Sequence, residues 1–91
     1  MSRPIENSMT LSALQDLIPQ HKMNEAFDYY EIETGDEYYT HIAKACFNLS
    51  CDELKQSKTR AALHALGLAT QSNKLSSLGK RFLWIAYGGR L

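Results

Sequence analysis

Nothing in the 91-residue sequence approaches the ~20 consecutive apolar residues that cross a bilayer. The opening stretch, MSRPIENSMT, also lacks the apolar segment of a secretion signal. No membrane partner is expected, and the expected location is cytoplasmic. Cysteine is scarce, with only Cys46 and Cys51 present. With His41 and His64 they could be drawn as a metal site. Structural zinc sites, however, use paired short spacings, and no second pair stands downstream. Both thiols are expected to be reduced, Cys46 in the core and Cys51 at a helix start. Neither a metal nor a cofactor is expected. The chain also lacks a nucleophile–base–oxyanion signature, a Gly-rich phosphate loop and an H-E-x-x-H helix, so it is not expected to be an enzyme. Proline and glycine are few, two and five, so each one is informative punctuation.

Each half of the chain is poor in charge of one sign. Met1 to Ala45 holds three basic residues against eight acidic ones, and Cys46 to Leu91 holds seven basic against two acidic. A net charge of zero therefore hides halves of −5 and +5. Such asymmetry bears on partners rather than fold. A basic half suits phosphates, and an acidic half suits a basic partner or the chain's own basic half. With 44% hydrophobic and 22% charged residues, the composition is that of one ordinary globular domain.

The hydrophobic spacing predicts a mostly α, compact helical domain of four to five helices over residues 10–91, behind a flexible tail over 1–9. Thr10 can cap a helix carrying Leu11, Leu14, Leu17 and Ile18, and Pro19 should end it. Asn24 could cap a second helix, Glu25 to about Glu33. After the break at Thr34-Gly35-Asp36, residues Tyr38, Ile42, Ala45, Cys46 and Leu49 share one helical face, which leaves Glu37, His41 and Lys44 toward solvent. Ser50 followed by Glu53 has the form of a capping box. The helix starting there either runs unbroken to Leu66 or breaks near Gln56-Ser57. Gly67 stands where a left-handed C-cap belongs. Residues 68–75 read as a tiny hairpin or an extended loop, and Ser76 or Ser77 caps a last helix to about Tyr87.

Two stripes separate within Ser57 to Leu66. Thr59, Ala62, Leu63 and Leu66 should face the core. Ser57, Arg60, Ala61 and His64 fall on the other side, flanked by Lys58 and Ala65. Small alanines among basic, hydroxyl and imidazole groups suit a helix laid in a DNA major groove, where base edges offer acceptors to Arg and His. Ser57 and Lys58 near the helix start are placed for phosphate oxygens. A plain solvated face has the same composition, and basic residues near helix ends also complement the helix dipole with no ligand at all.

The run Thr59-Arg-Ala-Ala-Leu-His-Ala-Leu-Gly-Leu-Ala69, a short polar turn, and Leu75-Ser-Ser-Leu-Gly-Lys-Arg-Phe82 together resemble the back half of a winged helix-turn-helix domain. The resemblance covers residues 37–87. It implies a first helix over Glu37 to Asn48, a short positioning helix over Ser50 to Lys55, a recognition helix ending at Leu66-Gly67-Leu68, and a very short β-hairpin wing near 68–75. It further implies double-stranded DNA as a partner and a homodimer. Under this reading Arg60 and His64 meet base edges, while Lys55, Ser57, Lys58 and Lys74 meet phosphates. The protein would serve as a transcriptional regulator or a mobile-element accessory factor.

A second reading rests on the acidic half. Phe27 to Tyr39 mixes tyrosines with carboxylates, and tyrosine is a common interface residue. Tyr29, Glu31, Glu33, Asp36, Glu37 and Tyr39 would then form a protein-binding face, as in a phage-encoded inhibitor of a host machine. The plainer alternative puts Tyr30 and Tyr38 in the core and Tyr29 and Tyr39 on the rim. The last helix has two apolar sides. Leu78, Phe82, Ile85 and Ala86 form one, and Leu83, Trp84 and Tyr87 form the other. That second side needs a cover, either the N-terminal helix or a second copy meeting Leu83, Trp84 and Tyr87.

Overall fold

The computed structural model describes residues 8–88, which fold as five helices: α1 (Ser8–Leu17), α2 (Gln20–Tyr29), α3 (Tyr38–Ser50), α4 (Ser57–Ala65) and α5 (Ser77–Ala86). The tail expected over 1–9 lies outside the described residues as far as residue 7, and Ser8 and Met9 belong to α1. No helix among the described residues is long and apolar enough to cross a membrane.

Leu14 and Ile18 of the N-terminal stripe are fully buried, and Leu11 and Leu17 are partly so. Pro19 ends α1 as its sterics require, but it also opens the next helix, standing at the N-cap with an extended backbone. The second helix therefore starts at Gln20 rather than Glu25. Asn24, expected as its cap, instead accepts a hydrogen bond from the Gln20 side chain one turn before it, at 2.9 Å. Met23, Ala26 and Phe27 face inward.

The helix α3 is the hub, packing against α2, α4 and α5, while α1 lies along α5. Ile42, Ala45, Cys46 and Leu49 are buried as their spacing predicts. The two tyrosines at its start exchange their expected places. Tyr39 is the core residue, 2% exposed, and its hydroxyl donates to the Ile18 carbonyl that Pro19 leaves free of a helical partner. Tyr38 is half-buried and stacks on Phe27 with ring centroids 3.9 Å apart.

Three helices end in the same way. In α2, α3 and α4 the residue after the C-cap is left-handed (Glu31, φ 53°; Asp52, φ 56°; Gly67, φ 77°). The next amide then reaches back to the carbonyl five residues earlier: Ile32 to Phe27, Glu53 to Asn48, and Leu68 to Leu63. This paired closure is the Schellman motif. At Asp52 it stops α3 where a capping box was expected to start a helix. Ser50 lies in the last turn of α3, donating its hydroxyl to the Phe47 carbonyl at 2.6 Å. Residues 53–56 are irregular, so the short positioning helix expected over Ser50 to Lys55 is not formed. The break near Gln56 is present, and Ser57 to Ala65 is a helix of its own.

The described residues contain no strand, so the hairpin wing expected near 68–75 is a correction. A single antiparallel bridge joins Ala69 and Leu75. Beyond it, the Thr70 amide donates to the Lys74 carbonyl at 2.7 Å, but the Lys74 amide donates to the Thr70 hydroxyl at 3.2 Å. A side chain thus takes the place of a ladder bond, and the pairing ends after one step. Ser76 caps α5, accepting from the Gly79 amide at 3.0 Å while donating to the Gly67 carbonyl at 2.6 Å. Gly79 is required by contact: a Cβ there would stand 2.1 Å from the Leu68 carbonyl oxygen.

Leu83 and Tyr87 are 8% and 7% exposed and belong to the core cluster. The cover for the second apolar side of α5 comes from the chain itself, α1 packing along it and Phe47 lying 5.7 Å from the Tyr87 ring. Their expected role at a dimer interface is therefore corrected, and only Trp84, 54% exposed, remains outward.

Candidate nucleic-acid interface

The turn between α3 and α4 decides how α4 is presented. After the left-handed Asp52, Leu54 turns inward and is buried, anchoring the linker. Gln56 stands at the N-cap of α4 without a side-chain bond to the helix. The amides of the first turn, at Ser57, Lys58 and Thr59, consequently have no side-chain cap, as helix geometry leaves them.

The inward stripe of α4 is as the spacing predicts. Thr59, Ala62 and Leu63 are buried, and Leu66 is partly so. Among the described residues Thr59 is the one polar member of the buried set, and its hydroxyl lies 3.1 Å from His41 Nε2. His41 was expected to face solvent. It sits instead at the junction of α2, α3 and α4, with its ring edge-on to Phe27 at 5.6 Å. Burial pushes its pKa below the usual histidine value, against the opposing pull of Asp36, and Lys44 adds to the lowering. No pattern in the sequence marks this contact, because the α3 stripe places His41 just off its apolar edge.

On the outward side Ser57, Lys58, His64 and Ala65 are exposed, and Ala61 is half-exposed. Arg60 behaves differently. Its guanidinium folds back across the start of α4 and donates to the Leu54 carbonyl, while its Nε is buried without a hydrogen-bond acceptor. The residue expected to reach base edges thus braces the turn that precedes its own helix. Lys55 is exposed on that turn. Together with Ser57 and Lys58 it lines one side of an open cleft of about 710 Å³, and Glu31 and Glu33 line the other.

The loop after α4 closes over the far end of the same face. Lys74 pairs with Asp52 at 3.1 Å, both side chains being mostly exposed. An ion pair so hydrated contributes less than about 1 kcal/mol and exchanges readily for another anion. His64 Nε2 meets the Asn73 side-chain oxygen at 3.0 Å. Asn73 carries a left-handed backbone, φ 60°, and was not among the expected site residues. Its signal in the sequence was the polar turn Gln71-Ser72-Asn73, since asparagine tolerates left-handed positions.

The acidic residues do not converge as tightly. Tyr29 is 79% exposed, and Glu31, Glu33 and Glu37 are all exposed. Asp36 is held by Lys44 at 3.1 Å. Tyr39 is corrected out of this face by its burial. Cys46 is deep in the core, where burial pushes its thiol pKa up to about 12, whereas Cys51 is exposed at the end of α3. Among the described residues no group of three or more His, Cys, Asp or Glu side chains is arranged to hold a metal ion. Comparison with family models, with curated proteins and with solved structures finds no match to this chain.

Proposed function

We propose that the chain is a small, cytoplasmic, double-stranded-DNA-binding protein of helix-turn-helix type, a transcriptional regulator or an accessory factor of a mobile element. The observation that carries this reading is the separation of α4 from α3 at residues 51–56. It gives a nine-residue helix with a buried stripe behind and an outward face of Ser57, Lys58, Ala61, His64 and Ala65. The absence of bulk on that face suits close approach to a groove. Lys55, Ser57 and Lys58 at the start of α4, and Lys74 beyond its end, meet phosphates. His64 meets base edges. Arg60 does so only if it leaves the Leu54 carbonyl, so the nearer role for it is bracing.

The test is duplex binding by fluorescence anisotropy at low and moderate salt. Lys55→Glu with Lys58→Glu is the informative variant, because both side chains are exposed and neither makes an ion pair among the described residues. Loss of binding by that folded double variant is expected. Unchanged binding rejects the face.

A second reading, a non-enzymatic protein-interaction module, is favoured by one observation: Tyr29 stands 79% exposed beside the acidic segment. Under it, Tyr29→Ala abolishes capture of a protein partner while duplex binding is absent in the parent protein as well.

A further inference from the structure

Two exposed aromatic side chains stand on helices of opposite charge. Among the described residues the exposed large apolar side chains are Met9 in the first turn of α1, Tyr29 at the end of α2 and Trp84 in α5. On α2, Glu25, Asp28 and Tyr29 are all exposed and follow i, i+3, i+4, so they share one face. Met23, Ala26 and Phe27 are buried behind them. The one lysine of α2, Lys22, lies a turn before Glu25, at the end away from Tyr29. On α5, Lys80, Arg81 and Trp84 are exposed within about one turn, and the helix holds no acidic residue. Gly79, Phe82, Leu83 and Ala86 are buried behind them. Side chains on a helix lean toward its N-terminus, so each ring is carried over the turn that holds the charges.

Neither face is satisfied within the chain. None of the four charged side chains forms an ion pair among the described residues. The helix α2 packs on α3 and α4, whereas α5 packs on α1 and α3. The two faces are nevertheless complementary group by group. Carboxylates of Glu25 and Asp28 accept from the ammonium of Lys80 and the guanidinium of Arg81. The ring of Tyr29 offers its face to a cation. The indole N–H of Trp84 donates, and a carboxylate accepts it.

We infer that these faces recognise each other between copies of the chain, the Lys80, Arg81 and Trp84 face of one copy seating on the Glu25, Asp28 and Tyr29 face of a second. A second copy brings both complements at equal concentration. The halves of −5 and +5, which hold α2 and α5 respectively, steer the encounter. One helix face on another is smaller than the interface of a stable dimer, so the association is reversible and follows concentration. Two unlike patches either extend head to tail or close as a two-fold pair that makes the contact twice. No residue of α4 takes part, so this association stands apart from duplex binding.

The test is sedimentation equilibrium of the full chain at low salt, up to about 1 mM protein. The average mass is expected to rise with concentration above that of one chain, and to return to it in about 1 M salt, where charges are screened within about 3 Å. Trp84→Ala and Tyr29→Ala leave every charge in place, and each is expected to weaken association by about tenfold or more. Glu25→Lys with Asp28→Lys makes both faces cationic, and Lys80→Glu with Arg81→Glu makes both anionic. Each double variant alone is expected to stay a single chain, and the two mixed in equal amounts are expected to associate. All six positions are exposed, so these variants retain the fold, which circular dichroism checks. A parent chain that stays single over the whole range overturns the inference. So does association that persists in about 1 M salt, that both aromatic variants leave unchanged, or that either double variant retains alone. Mixed association that Trp84→Ala in both partners leaves unchanged is general charge attraction, and it too overturns the inference.

Discussion

Replacing Gly79 by alanine tests how α5 is seated on the chain that leaves α4. The added Cβ would lie 2.1 Å from the Leu68 carbonyl oxygen and 3.1 Å from both the Leu68 carbonyl carbon and a Leu75 methyl. The first two obstacles are backbone, and Leu68 is fully buried, so relief requires α5 or the 66–69 segment to move rather than a side chain to swing aside. Overpacking of this kind costs about 1–3 kcal/mol, and alanine recovers less than about 1 kcal/mol through helix propensity. A net loss of about 2 kcal/mol in a domain this size lowers Tm by roughly 10 °C. Gly35→Ala is the matched control. Nothing lies within 4 Å of the Cβ built there, and that glycine has no left-handed backbone. It should leave Tm unchanged or raise it slightly. Thermal unfolding followed by far-UV circular dichroism measures both. A Gly79→Ala protein as stable as the parent would refute the close approach of α5 to Leu68 and with it the seating of the loop beside the candidate interface.

Removal of the Tyr39 hydroxyl in Tyr39→Phe leaves the Ile18 carbonyl buried without its partner, and urea titration should register a loss of about 1–2 kcal/mol. His41 is held below its ordinary pKa by burial, so the unfolded chain binds the proton more readily. The stability from that difference is complete above about pH 6.5, the unfolded value, and is lost as pH falls from there through the lower folded value. Urea midpoints measured from pH 7.5 to 5.5 should therefore decline, with a shallower decline in His41→Gln. Cys51 is exposed and the buried Cys46 thiol is pushed up to about 12, so a thiol reagent near pH 8 should label one cysteine in the native protein and both in denaturant.

What could be read from the residues divides by physical cause. Stripes on single helices were legible because apolar spacing alone sets them: Leu14 in α1 with Ile18 just past its end, Ile42 and Cys46 in α3, and Thr59 and Leu63 in α4 all lie inside. The Gly67 cap was legible because only glycine is unstrained there. Its two relatives at Glu31 and Asp52 were not, because side chains other than glycine hide a left-handed turn. Asp52 thereby turned an expected helix start into a helix end. Tyr38 and Tyr39 are adjacent, and contacts distant in sequence separate them, Tyr39 meeting the Ile18 carbonyl and the Phe82 ring while Tyr38 stacks on Phe27. The site divides in the same way. Ser57, Lys58 and His64 are exposed as their spacing implies, and Lys55 is exposed on the turn before them. The folding back of Arg60 onto Leu54 and the contact of Asn73 with His64 depend on chain segments meeting through turns, which periodicity does not describe.

The central claim is that α4 and its flanking lysines hold a duplex through its phosphates, and the dependence of that binding on salt tests it most directly. Phosphate contacts by Lys55, Lys58 and Lys74 predict that log K falls against log salt with a slope of about −2.7, or roughly 40-fold weaker binding from about 50 to about 200 mM salt. Lys58→Glu should make that slope shallower. A duplex affinity that does not change over this range, or no affinity at its lower end, would contradict the account.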